Sequence, residues 1–257
     1  MLEINKVYNL DYLDFLSQID DNSIDLLIID PPYLNLLNDK SNWDDKELVN
    51  SIFINHLFRI LKDTGSLYLF CGLGEQSQSL IRWFPLFQNK FYFKDMVVWK
   101  KNRGNGMKKG YLYTREEILW FVKDNNKFFW NENNQYTNER RLFKITNSKN
   151  RSSYKRITNV ITHINEVGYG NSVHNFNKLR EEYGNHLCPK PVELIKLMLS
   201  VSSKENDLVL DCFAGSGSTV LASLESKRSF VVCDNDKECV ENINKRINKF
   251  LEVNRIF

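Results

Sequence analysis

The sequence predicts an α/β fold: a mostly parallel, twisted sheet with helices on both faces. Three observations carry this reading. Short apolar runs of strand length alternate with segments of helical spacing along most of the chain, as βαβ units do. "VLDCF" leads through "AGSGS" directly into a helix-forming segment, a strand–glycine turn–helix unit. A chain of 257 residues is also long enough to bury one full core and still carry an insertion.

The elements follow in order. A helix is expected over Tyr12–Ile19, and "SIDLLIID" (23–30) reads as a buried strand. Asp45–Lys62 places Leu48, Ile52, Leu57 and Ile60 at near-helical spacing. "GSLYLF" is a short apolar strand opened by Gly65, and a helix is expected near Glu75–Phe84. "FYFKDMVVW" and "EILWFV" read as two further strands. After Lys123 the period is lost in a mixture of Asn, bases and aromatics. Order returns at "PKPVELIKLMLSV", a helix with prolines at its mouth. "DLVLDCF" is then a strand, "GSGSTVLASLES" opens a helix, "RSFVVCD" is a strand and "DKECVENINKRINKFL" a closing helix. One α/β domain is therefore expected in two parts, 1–124 and 186–257, with a segment inserted at 125–185.

Composition narrows the class. Mean hydropathy is −0.44, and no apolar run approaches the roughly 18 residues of a membrane helix. The start, "MLEINKVYNL", lacks the basic-then-apolar layout of a signal peptide. Five scattered cysteines without a CxxC pair, and four dispersed histidines, argue against a zinc site and for reduced thiols in a cytoplasm. Net charge is +3, but residues 100–156 hold fifteen Lys/Arg against five Asp/Glu, a balance of +10, so the other 200 residues sum to −7. Such a basic stretch suits a polyanion, nucleic acid first, unless it is a solvated basic loop.

Two stretches carry chemistry. In "VLDCFAGSGSTVLA", glycines let backbone approach a ligand and the helix start offers free N–H groups. Nineteen residues past Gly215, Asp234 ends the next strand, where an acid suits the hydroxyls of a ribose. Val220 stands where a dinucleotide site wants a third Gly or Ala, and no Gly-Lys-Ser/Thr of a P-loop follows. S-adenosylmethionine has a ribose and no pyrophosphate, and needs less of a phosphate cradle. The second stretch is Asp30-Pro31-Pro32-Tyr33, an acid and an aromatic on a stiff corner.

Asp30-Pro31-Pro32-Tyr33 resembles the catalytic motif of the β-class DNA amino-methyltransferases. "DCFAGSGST" resembles that family's cofactor motif, with Ser218 in place of the first Thr. "HLCPKPVELIKLML" is similar to its "HPTQKPxELxxxLI", departing at Leu187, Cys188 and Pro189, and "TREEILWFVK" is similar to its "T-x-E-x-I-L-x-F-x-K". Catalytic motif first and cofactor motif last is the β-class order, and the compact length is similar to the MboII-type adenine enzymes. The resemblance spans residues 1–123 and 186–257 and implies a Rossmann-like methyltransferase fold, with 125–185 as target-recognition segment.

It also implies roles. Asp30 and the Pro31 carbonyl accept the two N–H hydrogens of an exocyclic amine, and Pro32 holds Pro31 extended. Tyr33 offers a face for a flipped-out base. An already activated methyl held in line with that amine calls for proximity, without a strong base or metal. Cofactor contacts are expected from Asp30, Asp211, Phe213, Gly215, Ser216, Gly217, Ser218, Thr219, Asp234 and Asn235. Lys190 is expected at the cofactor carboxylate and Asp11 at the adenine amino group, although Asp11 equally suits a helix N-cap. Lys100, Lys101, Arg103, Lys108, Lys109 and Arg115 are expected on DNA phosphates, with Arg140 and Arg141 towards the groove.

The expected activity is methylation of adenine N6 in duplex DNA, releasing S-adenosylhomocysteine, by the modification enzyme of a restriction–modification system. Asp30 favours adenine, since Ser usually stands there in cytosine-N4 enzymes. Alternatives are a cytosine-N4 enzyme, or a non-catalytic DNA-binding module with a vestigial pocket. A restriction endonuclease acting on the same site is the expected functional counterpart, without a stable complex, and a homodimer is left open.

Overall fold

The computed structural model describes residues 2–33, 47–74, 77–105, 109–140, 154–167 and 189–254, with the side chains of 103–105, 136–140 and 154 left undescribed. The chain opens with β1 (Lys6–Asn9), α1 (Tyr12–Ser17) and β2 (Ile24–Ile29). Next come α2 (Ser51–Ile60), β3 (Leu61–Cys71) and α3 (Ser79–Gln88). Strands β4 (Tyr92–Asn105) and β5 (Tyr113–Val122) form a long hairpin. Three short strands follow: β6 (Tyr136–Arg140), β7 (Tyr154–Arg156) and β8 (Val160–Ile161). The last part holds α4 (Val192–Ser202), β9 (Leu208–Asp211), α5 (Ser218–Glu225), β10 (Ser229–Asp234) and α6 (Lys237–Asn254).

Eight strands form the main sheet in the order β1-β10-β9-β2-β3-β5-β4-β8. All neighbours are parallel except β3–β5 and β5–β4, which are antiparallel. Strands buried on both faces need unbroken apolar runs, and β2, "IDLLII", is such a strand. In β10 alternate residues serve the two faces. Val231 and Cys233 join the core that includes α1 and α2, whereas Phe230 and Val232 pack with Val220 and Ile243 of α5 and α6. Helices thus cover both faces, as the sequence predicts.

Several boundaries differ from expectation; α2, for one, starts only at Ser51, where the Asn50 side chain caps it by accepting from Ile52 N and Phe53 N. Strand β3 starts at Leu61, because Leu61 pairs with Ile24 before a register shift restores regular pairing at Leu26–Ser66. Helix α3 starts at Ser79, later than predicted. The Ser79 hydroxyl accepts from Gly72 N at 2.8 Å and ties the helix mouth to the end of β3. Strand β8 joins the outer edge of the main sheet beside β4, while β6 and β7 pair separately as an antiparallel ribbon. Residues 128–135 lie against the domain: Phe129 N donates to Thr64 O, Asn131 N donates to Val201 O, and Trp130 packs 4.9 Å from Trp120.

Among the described residues no helix is long and apolar enough to cross a membrane.

Candidate functional site

The chain leaves β2 and β9, which are sheet neighbours, in opposite directions. Strand β9 leads out to β10 and β1, and β2 leads to β3 and β5. That arrangement opens a crevice beyond the carboxyl ends of the parallel strands, where α/β sheets bind ligands. Both motifs end there: Asp30 follows β2, and Asp211 closes β9. A narrow cavity between them is lined by Asp30, Phe70, Lys190, Asp211, Phe213 and Ser218, among others. A wider shallow depression lined by Phe58, Asp63, Phe91 and Lys123 lies at the opposite end of the strands, away from Asp30 and the glycine turn.

The glycine turn is fixed by two acids. Asp211 is buried. Its Oδ1 accepts from Phe213 N at 2.9 Å, and its Oδ2 accepts from the Thr219 hydroxyl at 2.6 Å. Burial pushes its carboxyl up to about 7, against the lowering effect of those two hydrogen bonds. Asp234 Oδ2 accepts from Gly215 N at 2.7 Å and Oδ1 from Asp236 N at 2.9 Å, so this acid orders both loops in the structure. Asn9 Nδ2 clamps the same loop by donating to the carbonyls of Asp234 and Asn235, each at 3.0 Å. The Asn235 side chain is exposed.

Gly217 has φ +78°, and a Cβ there would lie 2.8 Å from Ile243 Cγ1, so both conformation and packing require glycine. The Ser218 hydroxyl donates to Lys190 O at 2.6 Å, joining the turn to the mouth of α4. The Ser216 hydroxyl lies 3.2 Å from that of Ser218, and Arg246 of α6 donates to Ser216 O. Phe213, at the cavity wall, packs tilted against Tyr12 with ring centroids 5.2 Å apart. Asp11 caps α1, accepting from Leu13 N at 2.8 Å.

On the other side stands a buried charge network. Lys190 Nζ lies 2.7 Å from Asp30 Oδ2 and 3.0 Å from Glu116 Oε1. Lys101 Nζ lies 2.6 Å from Glu116 Oε2. The Tyr33 hydroxyl lies 2.9 Å from Asp30 Oδ1 and 2.6 Å from Glu116 Oε1. Two ammonium groups therefore face two carboxylates. Burial lowers the Lys190 ammonium, but Asp30 and Glu116 outweigh it and hold the group charged, far above the usual range. Burial raises Glu116 while Lys190 and Lys101 pull it further down, leaving it well below the usual carboxylate range. Burial, then Asp30 and Glu116, raise the Tyr33 phenol, which stays protonated.

The sequence places Glu116 at the acid of the T-x-E segment but assigns it no role in the site. Its signal was an acid inside the apolar strand "EEILWFV", where the structure leaves it 3% exposed. Tyr33 is also buried, edge-on to Trp83 at 5.9 Å with the Lys190 ammonium 5.5 Å from its ring centroid.

The residues expected on DNA divide. Lys100 and Lys109 are exposed. Lys101 is engaged with Glu116, and Arg115 Nε lies 2.6 Å from Oε1 of the fully buried Glu117. The side chains of Arg103 and Arg140 are undescribed, and Lys108 and Arg141 lie outside the described residues. Among the described residues no group of three or more His, Cys, Asp or Glu could hold a metal ion. Cys71, Cys212 and Cys233 are buried, which raises their thiols and leaves them unreactive.

A doubly covered sheet whose strand order reverses between an acid at one strand end and a glycine turn at its neighbour is the Rossmann-like methyltransferase fold. Residues 24–245 match the N6/N4 methyltransferase family model, described as a DNA methylase. The Type II methyltransferase M1.MboII of Moraxella bovis is 33% identical over 275 residues, spanning 99% of this chain and 100% of that protein. The DNA adenine methyltransferase YhdJ of Escherichia coli (strain K12) is 29% identical, spanning 93% and 81%. The solved PvuII DNA methyltransferase (cytosine-N4-specific) has a TM-score of 0.67 at 15% identity, covering 94% of this chain and 89% of that one, which shows the shared fold. The chain belongs to the N6/N4 DNA methylase family.

Proposed function

We propose that the protein methylates adenine N6 in duplex DNA, using S-adenosylmethionine, as the modification enzyme of a restriction–modification system. The observation that carries this is the pairing of sites across one seam: Asp30 ends β2 and faces the glycine turn of β9 over a shared cavity. Relatives support the substrate, since M1.MboII is named a Type II methyltransferase and YhdJ a DNA adenine methyltransferase. Asp rather than Ser at position 30 favours adenine over cytosine N4.

The cavity residues fit the cofactor by chemistry. Lys190 offers a cation for its carboxylate, Phe213 an apolar wall, the turn at 216–219 backbone N–H groups at the start of α5, and Asp234 an acceptor for ribose hydroxyls. When bound, S-adenosylmethionine supplies a methyl already activated by a sulfonium. Asp30 and the Pro31 carbonyl each accept one amine N–H, directing the nitrogen lone pair at that methyl. With the cofactor held there, the amine nitrogen would take that methyl in exchange for a neutral thioether, and Asp30 is placed to take the proton that the nitrogen must then lose. The catalytic contribution is orientation. Residues 125–185 are the target-recognition segment, and the exposed Lys100 and Lys109 contact phosphates.

Tritiated S-adenosylmethionine and random-sequence duplex DNA, followed by nucleoside analysis and mapping of modified sites, test this together. Label is expected in N6-methyladenine at one short sequence. Label only in N4-methylcytosine would overturn the adenine assignment.

A further inference from the structure

Asp30 and Glu116 compete for the same donors. The Tyr33 hydroxyl stands between Asp30 Oδ1 at 2.9 Å and Glu116 Oε1 at 2.6 Å, and Lys190 bridges the two carboxylates. A phenol has one hydrogen, so it can satisfy one carboxylate at a time. The shorter contact is with Glu116, which Lys190 and Lys101 hold ionised. Glu116 lies in a strand and is 3% exposed, so it cannot itself reach a substrate.

We propose that Glu116 is a positioning residue: by taking the Tyr33 hydroxyl hydrogen and sharing the Lys190 ammonium, it leaves Asp30 Oδ1 free to accept a substrate N–H. The proposal rests on the reading of Asp30 as the amine acceptor. Without Glu116 the phenol turns to Asp30, fills the acceptor the substrate needs, and Lys190 leans wholly on Asp30 Oδ2. Lys101 completes the arrangement by balancing the second buried negative charge, at 2.6 Å from Glu116 Oε2. A charge-assisted hydrogen bond is shorter and stronger than a neutral one, which suits the 2.6 Å contact between the phenol and Glu116.

The test is a double-mutant cycle read by single-turnover methyl transfer, which resolves slow variants. Glu116→Asp and Glu116→Gln are each made alone and with Tyr33→Phe. Glu116→Asp keeps the charge that the lysines need but falls one methylene short of the phenol, so it serves if Glu116→Gln does not fold. Either substitution alone should slow transfer about 10- to 100-fold, with cofactor and duplex affinity nearly unchanged. With Tyr33→Phe there is no hydroxyl hydrogen to occupy Asp30, and the same substitutions should cost about threefold or less. Equal losses in both backgrounds, or wild-type rates for Glu116→Asp, overturn the proposal. Asp30→Ala run in parallel separates the levels. Wild-type transfer in that variant removes the catalytic reading itself, whereas an inactive Asp30→Ala with equal losses removes only the role of Glu116.

Discussion

Lys190 Nζ stands 2.7 Å from Asp30 Oδ2, so the mouth of α4, beside the glycine turn, holds the acid that follows β2. Removing Asp30 should therefore have two separable effects. Asp30→Ala is expected to slow methyl transfer by about 10²–10³ or more, by analogy with deleted oxyanion donors. Cofactor affinity, measured by titration calorimetry, should stay close to wild type, because Lys190 keeps Glu116 as a partner. Wild-type turnover would end the mechanism.

Lys190→Met leaves Asp30 without its cation and Glu116 with Lys101 alone. Breaking a buried ion pair from one side costs about 3–5 kcal/mol. Urea denaturation should show a loss of that order at neutral pH, accompanied by weaker cofactor binding. Unaltered stability would mean that the network is solvated in solution.

Asp234→Ala should raise the cofactor dissociation constant for two reasons: the proposed ribose contact is lost, and Gly215 N and Asp236 N lose their acceptor. One charge-assisted contact corresponds to about 10- to 100-fold. Equilibrium titration with S-adenosylhomocysteine checks it, and an unchanged affinity would place the ribose elsewhere.

Asp211 gives a pH dependence of stability. Its folded-state carboxyl, pushed to about 7 by burial, lies above the ordinary value of about 3.9 in the unfolded chain. Between those values the folded protein holds a proton that the unfolded chain has released, so this group's contribution falls as pH rises from about 4 to about 7, then levels off. From about pH 5 to about pH 8 the loss should be about 2–3 kcal/mol. Asp211→Asn, with no charge to desolvate, should lack that loss in denaturation series at the two pH values. Cofactor binding offers a second readout, because a sulfonium near Asp211 would favour its charged form. Near pH 7 the binding enthalpy should then vary with buffer ionisation enthalpy, and should not do so in Asp211→Asn.

The exposed cations should govern salt dependence. Lys100→Ala with Lys109→Ala is expected to weaken binding to cognate and random duplexes alike and to flatten the slope of log K against log salt by about one or two units. Arg115→Ala should change the slope less, because its guanidinium is paired with Glu117. Slopes identical to wild type in the double lysine variant would remove the hairpin from the DNA interface.

Much of the fold was legible because parallel strands buried on both faces must be continuous apolar runs, and helices between them must repeat every three to four residues. The glycine turn was legible for a related reason, since few sequences can turn so tightly between strand and helix. What escaped was long-range pairing. The composition of residues 160–161 does not announce an edge strand, because β8 exists only through its pairing with β4. That Glu116 and Lys101 are partners shows only once the β4–β5 hairpin sets Trp99 opposite Glu116 and brings Lys101, two residues on, to its carboxylate. Lys101 and Arg115, expected on DNA phosphates, instead meet Glu116 and Glu117, which follow Arg115 immediately and which a strand delivers to opposite faces.

Strands β2 and β9 hydrogen-bond side by side although the hairpin and the 125–185 region separate them along the chain. The two loops of the proposed site thus meet only through the sheet, and the covalent path between them is immaterial to their meeting. A re-threaded gene that began at α4, ran through α6, was spliced to β1 and stopped after β5 would preserve each of the parallel pairs from β1 to β3. The order of the two motifs along the polypeptide is therefore a free variable of this architecture. Its halves could be shuffled as cassettes wherever the β2–β9 seam is matched.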